Sequence, residues 1–194
     1  MNVKTAFQWT LIDLRDAAWH LLVNRIAGSY FTPRVLRYGL YRLARIDVRS
    51  PSLAAGIYLQ SRRVTIGRGV FVNQGCRFYS SKARIVVGEK VQLGMNVTLV
   101  TDSHEPGPAE HRAGPVTSSS IRIGDGCWIG AGAMIMPGVE VGPGCVVAAG
   151  AVVIKDCEPN GLYAGVPAKR VRDLDDSSDE DRRRQVNEFS ANCP

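Results

Sequence analysis

Large aliphatic residues recur at every sixth position along much of this 194-residue chain, and few folds tolerate that spacing. Ile66, Val72 and Phe78 form one run, Val87, Leu93 and Leu99 a second, and Ile123, Ile129, Ile135, Val141, Val147 and Val153 a third. Four places after the large residue comes a smaller one: Val70, Cys76, Val91, Val97, Cys127, Ala133, Val139, Cys145 and Ala151. The residue that directly follows the large one is often turn-forming, as at Gly67, Asn73, Gly88, Gly94, Gly124, Gly130 and Gly142. A helix of about 3.6 residues per turn scatters such a pattern around its surface. A chain of short strands uses it fully. Each hexad supplies one strand and one turn, three hexads close a triangular coil of roughly eighteen residues, and coils stack by parallel pairing. The expected fold is mainly β, a parallel solenoid with the large aliphatics inside it.

Composition fits one domain. Hydrophobic residues make up 45% of the chain, enough for a sizeable core, and twenty glycines serve many tight turns. The net charge of +6 suits an anionic partner without specifying one. Five cysteines, an odd number with no CxxC pair, argue against a zinc site or a disulfide framework. Three of them, Cys76, Cys127 and Cys145, occupy the small inward position, where Cys acts as a compact hydrophobe. The sequence shows no signal-peptide pattern and no apolar run of about 18 residues, so a cytoplasmic location is expected.

The hexads and the stretch "IGDGCWIGAGAMIMPGVEVGPGCVVAAGAVVIKDCEPNGLYAGVPAKRVR" strongly resemble the hexapeptide-repeat acyltransferases, in particular the maltose, galactoside and polysaccharide O-acetyltransferases. The resemblance covers roughly residues 64–172. It implies a left-handed parallel β-helix, a homotrimer with active sites between subunits, and acetyl-CoA as co-substrate, with no metal and no nucleic acid. The expected organisation is an N-terminal helical segment over 1–50, the β-helix over 51–172 and a charged tail over 173–194.

The hexad frame is interrupted once at length. Leu99 and Ile123 are twenty-four positions apart, a multiple of six, so the frame resumes in register after an ejected loop over 101–120. Excursions of this kind often carry function. Pro106, Gly107, Pro108, Gly114 and Pro115 are expected to keep this loop out of strand geometry. It holds His104 and His111, two of the chain's three histidines. An imidazole titrates near neutrality and can take a proton from a hydroxyl. By resemblance, "TDSHEPG" makes His104 the general base, while His111 has no such match.

The resemblance also implies the remaining site residues. The backbone N–H of Ala131 is the oxyanion donor, and Asn73 lines the acceptor pocket, although a corner Asn also suits a plain turn. Asp102 orients His104, binds an acceptor hydroxyl or caps the loop. Small residues Ala131, Gly132, Ala149 and Ala151 allow the pantetheine arm to approach, Trp128 flanks the groove or a neighbouring subunit, and Lys155, Lys169 and Arg172 meet the CoA phosphates. Where the sugar enzymes often carry an Asp pair, this chain reads "FYSSKAR", which departs from the familiar sugar acceptors.

Residues 5–26 read as an amphipathic helix with Phe7, Leu11, Leu14, Ala18, Leu21 and Leu22 near one face. Pro33 opens a second helix carrying Arg34, Arg37, Arg42 and Arg45 beside Val35, Leu36, Leu40 and Leu43. Such a segment packs on the coil or a neighbouring subunit with its arginines outward, or makes peripheral contact with an anionic membrane. The expected activity is acetyl transfer from acetyl-CoA to a hydroxyl of a sugar or glycosylated acceptor. The alternatives are N-acetylation of an amino sugar or antibiotic, a γ-type carbonic anhydrase, and a non-catalytic scaffold.

Overall fold

The computed structural model describes residues 2–174; of Val3, Lys4 and Ala6 only the backbone is described. The expected tail falls, from residue 175 onward, outside the described residues.

The hexads fold into three parallel sheets that form the faces of a triangular prism. Sheet A stacks Asp47–Val48, Val64–Ile66, Ile85–Val87, Ile121–Ile123 and Glu140–Val141. Sheet B stacks Phe71–Val72, Gln92–Leu93, Trp128–Ile129, Val146–Val147 and Gly161–Ala164, capped by the antiparallel strand Lys169–Asp173. Sheet C stacks Tyr58–Leu59, Arg77–Tyr79, Thr98–Val100, Met134–Ile135 and Val152–Val153. The chain runs A to B to C and returns to A one layer higher. All twelve large hexad residues and all nine small ones are buried in one continuous core.

Burial also settles the cysteines. Cys76, Cys127, Cys145 and Cys157 are all buried and unpaired. Desolvation pushes the Cys76 and Cys127 thiols up to about 11 and that of Cys157 to about 12, which suits packing residues and not nucleophiles.

The N-terminal segment departs from expectation in two ways. Helix α1 (Val3–Trp19) runs into a π-helical stretch, His20–Ala27. Its inward residues are Val23 and Ala27, with Trp19 half-buried, whereas Phe7, Leu11, Leu14, Leu21 and Leu22 stay exposed. The segment seals the base of the prism through polar contacts. The Asn24 side chain donates to Leu59 O (3.0 Å) and accepts from Leu59 N (2.9 Å), and the Trp19 indole N–H donates to Leu59 O (2.8 Å). These bonds satisfy an edge-strand residue that has no further coil below it.

The second departure lies in α2 (Arg34–Leu43). Its buried face carries Arg37 and Tyr41, while Val35, Leu36 and Leu43 face out. Arg37 is only 3% exposed and donates to four carbonyls, those of Ala27, Leu53, Ser29 and Thr32, at 2.7–2.9 Å. The arginines-outward expectation therefore fails at Arg37. A planar guanidinium with five donors can collect the carbonyls that converge where two helices and the first coil meet.

Candidate active site

The functional residues are best located by prism edge. Every long insertion in the hexad frame falls on the edge where sheet C passes to sheet A. There the step between large residues is seven from Leu59 to Ile66, nine from Phe78 to Val87 and twenty-four from Leu99 to Ile123.

The ejected loop is a β-hairpin, contrary to the expectation drawn from its prolines. Asp102–Pro106 pairs antiparallel with Ala113–Ser118, with His104 opposite Val116. Pro106 sits at a strand end, and Pro115 lies where the register shifts between Ala113 and Val116. A two-stranded ribbon is all edge, so proline at a bulge costs no ladder bond it needs.

The hairpin orients His104. Its Nδ1 lies 2.8 Å from the Gly114 carbonyl oxygen. A carbonyl only accepts, so Nδ1 carries the proton and Nε2 keeps a free lone pair, the tautomer a general base requires. Gly114 appeared in the sequence only as a strand breaker; its orienting role comes from a cross-strand contact that spacing does not report.

Asp102 anchors the hairpin and does not touch His104. Its carboxylate accepts from Ser118 Oγ (2.6 Å), Thr101 Oγ1 (3.2 Å) and Ser81 N (3.4 Å). Burial works against ionisation, yet the hydrogen bonds from Ser118, Ser81 and Thr101 outweigh it and hold the carboxyl below its usual range. Of the roles open to Asp102, this geometry favours the loop clamp.

The oxyanion and cofactor candidates occupy the edge between sheets B and C, which forms a tight ladder. Gly132 N donates to Met95 O (2.8 Å) and Gly150 N donates to Ala131 O (2.9 Å). A Cβ on Gly94 would lie 2.6 Å from Ala131 N, and one on Gly130 would lie 2.5 Å from Ala149 N, so both positions need the bare backbone. Neither the Ala131 nor the Ala149 N–H has an acceptor among the described residues, and both alanines are exposed. Two free amides on one small-residue ledge suit a ligand carbonyl and an amide-bearing arm. Asn73 lies on the same edge; its Oδ1 accepts from Gln74 N (2.8 Å), a turn contact that leaves its amide NH2 unpaired among the described residues.

The other cofactor candidates are spread. Trp128 is exposed on the outer face of sheet B. Ala151 is buried inside the coil, so it lends the groove no side chain. Lys155 is exposed past the last strand of sheet C, and Lys169 and Arg172 are exposed on the capping strand. Arg170 between them is committed to Asp173, Tyr163 and the carbonyls of Glu158 and Pro159.

A single chain therefore holds His104 on the C–A edge and Ala131, Ala149 and Asn73 on the B–C edge, with sheet C between. The third histidine, His20, stacks on Tyr58 at the base of the prism with a centroid distance of 5.8 Å. That leaves His104 and His111 as the two imidazoles of the loop region.

Residues 120–155 match the family model of the bacterial transferase hexapeptide, six repeats. The matched residues are the upper coils of the prism, where the hexads run without interruption. The chain's relatives and structural neighbours include acetyltransferases. It is 34% identical over 113 residues to the galactoside O-acetyltransferase of Escherichia coli K12, a match covering 58% of this chain and 55% of that one. The first curated relatives are matched over 54–59% of their own length, so the chain spans a little over half of each. Among solved structures, a maltose O-acetyltransferase from Clostridium difficile 630 superposes with a TM-score of 0.72 at 25% identity, over 84% of this chain and 88% of that one. A galactoside acetyltransferase in complex with coenzyme A superposes with a TM-score of 0.68 at 27% identity, over 84% and 80% of the two chains. The solenoid is accordingly a left-handed parallel β-helix, preceded by helices.

Proposed function

We propose that this hexapeptide-repeat protein is a CoA-dependent O-acetyltransferase that acetylates a hydroxyl of a sugar or glycosylated acceptor, such as a polysaccharide precursor or secondary metabolite. The observation that carries the reading is the His104 tautomer fixed by Gly114. Transfer is direct. The acceptor oxygen attacks the thioester carbonyl while His104 Nε2 takes the hydroxyl proton. Ala131 N–H stabilises the oxyanion, the C–S bond breaks, and the proton passes to the departing CoA sulfur. An ester and free CoA thiol result, and no protein nucleophile is needed, in keeping with the buried cysteines.

The CoA ledge fits the residues present. Exposed Ala131, Gly132 and Ala149 leave room for the pantetheine arm, and Gly132 and Gly150 face open space. Lys155, Lys169 and Arg172 supply charge for the phosphates.

The separation of His104 from Ala131 supports a homotrimer in which the hairpin of one protomer reaches the B–C edge of the next. The exposed apolar residues of α1 and α2 are a second contact surface, taken by a neighbouring protomer or an anionic membrane; co-sedimentation with phosphatidylglycerol vesicles separates the two. Among the described residues, no helix is long and apolar enough to cross a membrane. The proposed domain limits are 1–50, 51–172 with the loop 101–120, and a tail over 173–194, in the cytoplasm.

The test is release of CoA thiol from acetyl-CoA over a panel of sugar hydroxyl acceptors, with wild type and His104→Ala. Acceptor-dependent release that falls about 10²–10⁴-fold in the variant is expected. Release independent of His104 overturns the mechanism. Release with amino sugars alone replaces the O-acetyl reading with an N-acetyl one.

A further inference from the structure

A cavity of about 810 Å³ lies between α1, the turn after α2 and the C–A edge of the first coils. It is within the size range of small-molecule sites. Four of its lining residues are Arg45, Arg62, Arg63 and Arg84. Two of its other charged residues are already committed. Asp16 is paired with Arg15 (3.0 Å), and Asp47 with Arg49 outside the cavity (3.0 Å). None of the four guanidinium groups has an ion pair or hydrogen bond among the described residues. The buried Oε1 of Gln60, also in the lining, lacks a donor.

Four like charges around one concavity repel each other, and nothing in the hexad rule demands them. Arg62 and Arg63 sit on the seven-residue step and Arg84 on the nine-residue step, the two short insertions on the edge that also ejects the hairpin. Arg84 N donates to Ser120 Oγ and Ala83 N to Ser118 Oγ, so the cavity wall joins the base of the hairpin. Guanidinium forks match phosphoryl oxygens in planar pairs.

We propose that this cavity binds a phosphoryl group, that of a phosphate- or diphosphate-bearing organic ligand, through Arg45, Arg62, Arg63 and Arg84. The site stands apart from the acetyl-transfer reading and from the CoA ledge on the B–C edge, and its test is binding, not turnover. It lies on the C–A edge, the same edge that ejects the hairpin. The exposed apolar face of neighbouring α1 makes a lipid-borne phosphate one source and a soluble organic phosphate the other.

The experiment is calorimetric titration of the whole protein with inorganic pyrophosphate at low salt. It compares wild type, Arg63→Gln/Arg84→Gln, and the charge-matched control Arg68→Gln/Arg122→Gln. The control residues lie outside the cavity lining and pair with Glu89 and Glu140. Saturable binding that weakens at least tenfold in the cavity variant and less than twofold in the control supports the site. Absent binding, or equal weakening in both variants, overturns it. Circular dichroism melts confirm that both variants fold. Phosphatidylglycerol vesicles added to the wild-type titration then assign the source. Competition with pyrophosphate means a lipid headgroup, and no competition means a soluble phosphate.

Discussion

Replacing Ala131 by proline deletes one N–H and changes little else. Gly130 to Ala133 is a tight turn, with Ala133 N donating to Gly130 O (3.2 Å) and Gly132 at φ +69°. A positive φ at the third residue marks a type II turn, whose second position favours proline. The chain already builds the same turn with proline at Pro137 before Gly138 (φ +83°) and at Pro143 before Gly144 (φ +68°). The approach from below also has a precedent. A Cβ on Gly94 would lie 2.6 Å from Ala131 N, and one on Gly124 would lie 2.5 Å from Pro143 N, so a bare glycine already sits under a proline elsewhere. Ala131 N–H makes no bond that the fold would lose. Stability should therefore hold, or rise by about 0.4–1 kcal/mol through the less flexible unfolded chain. Loss of an oxyanion donor should lower kcat by about 10²–10³. The same variant tests how the site closes. Mixed with His104→Ala protomers at equal amounts and refolded together, it should regain about a quarter of wild-type activity, because each site needs an intact hairpin from one protomer and an intact ledge from the next. Thiol release in the mixture, read against the two parents, is the assay. A mixture no more active than its parents refutes the shared site, and full activity in Ala131→Pro alone refutes the oxyanion assignment.

Three further outcomes are expected. Arg37→Met should cost about 3 kcal/mol, read from the urea midpoint at unchanged slope, because the buried bonds to Ala27 and Leu53 and the half-buried ones to Ser29 and Thr32 are charge-assisted and all are lost. Asp102 has a lowered carboxyl, so its contribution to hairpin anchoring is complete above the ordinary carboxylate range and fades as pH falls through its folded value. Hydrogen exchange in 102–118 should accordingly accelerate in acid for wild type and be fast but pH-flat, after correction for intrinsic rates, in Asp102→Ala. Cys76, Cys127, Cys145 and Cys157 should stay unmodified by a thiol reagent in the folded protein and react once it is unfolded, as mass spectrometry of each peptide would show.

The solenoid was readable because its rule is local and repeated. Each hexad places one large and one small residue inward, and Cys76, Ala133 and Ala151 obey it as strictly as Leu93 or Ile129. The N-terminal helices were harder for a physical reason. Amphipathicity identifies an apolar face but not what covers it, so Phe7, Leu11 and Leu14 leave the coil, a neighbouring subunit and a membrane all open, and in the single chain they lie exposed. Charge marks a residue as outward unless enough acceptors converge on it, and the carbonyls around Arg37 come from the turn at Ala27, Ser29 and Thr32 and from Leu53 on the first coil, a meeting that spacing does not report. The site divides along the same line. The long step from Leu99 to Ile123 marks the ejected loop that holds His104, and the resemblance carried by "TDSHEPG" supplies its expected role. Its Gly114 partner depends on hairpin register, which the prolines conceal. Ala131 and Ala149 look like ordinary corner residues because their unpaired amides carry no side-chain signature. One prism keeps hairpin and ledge on different edges, so under the proposed trimer the hexads set where each half lies while the threefold arrangement of identical chains brings the halves together.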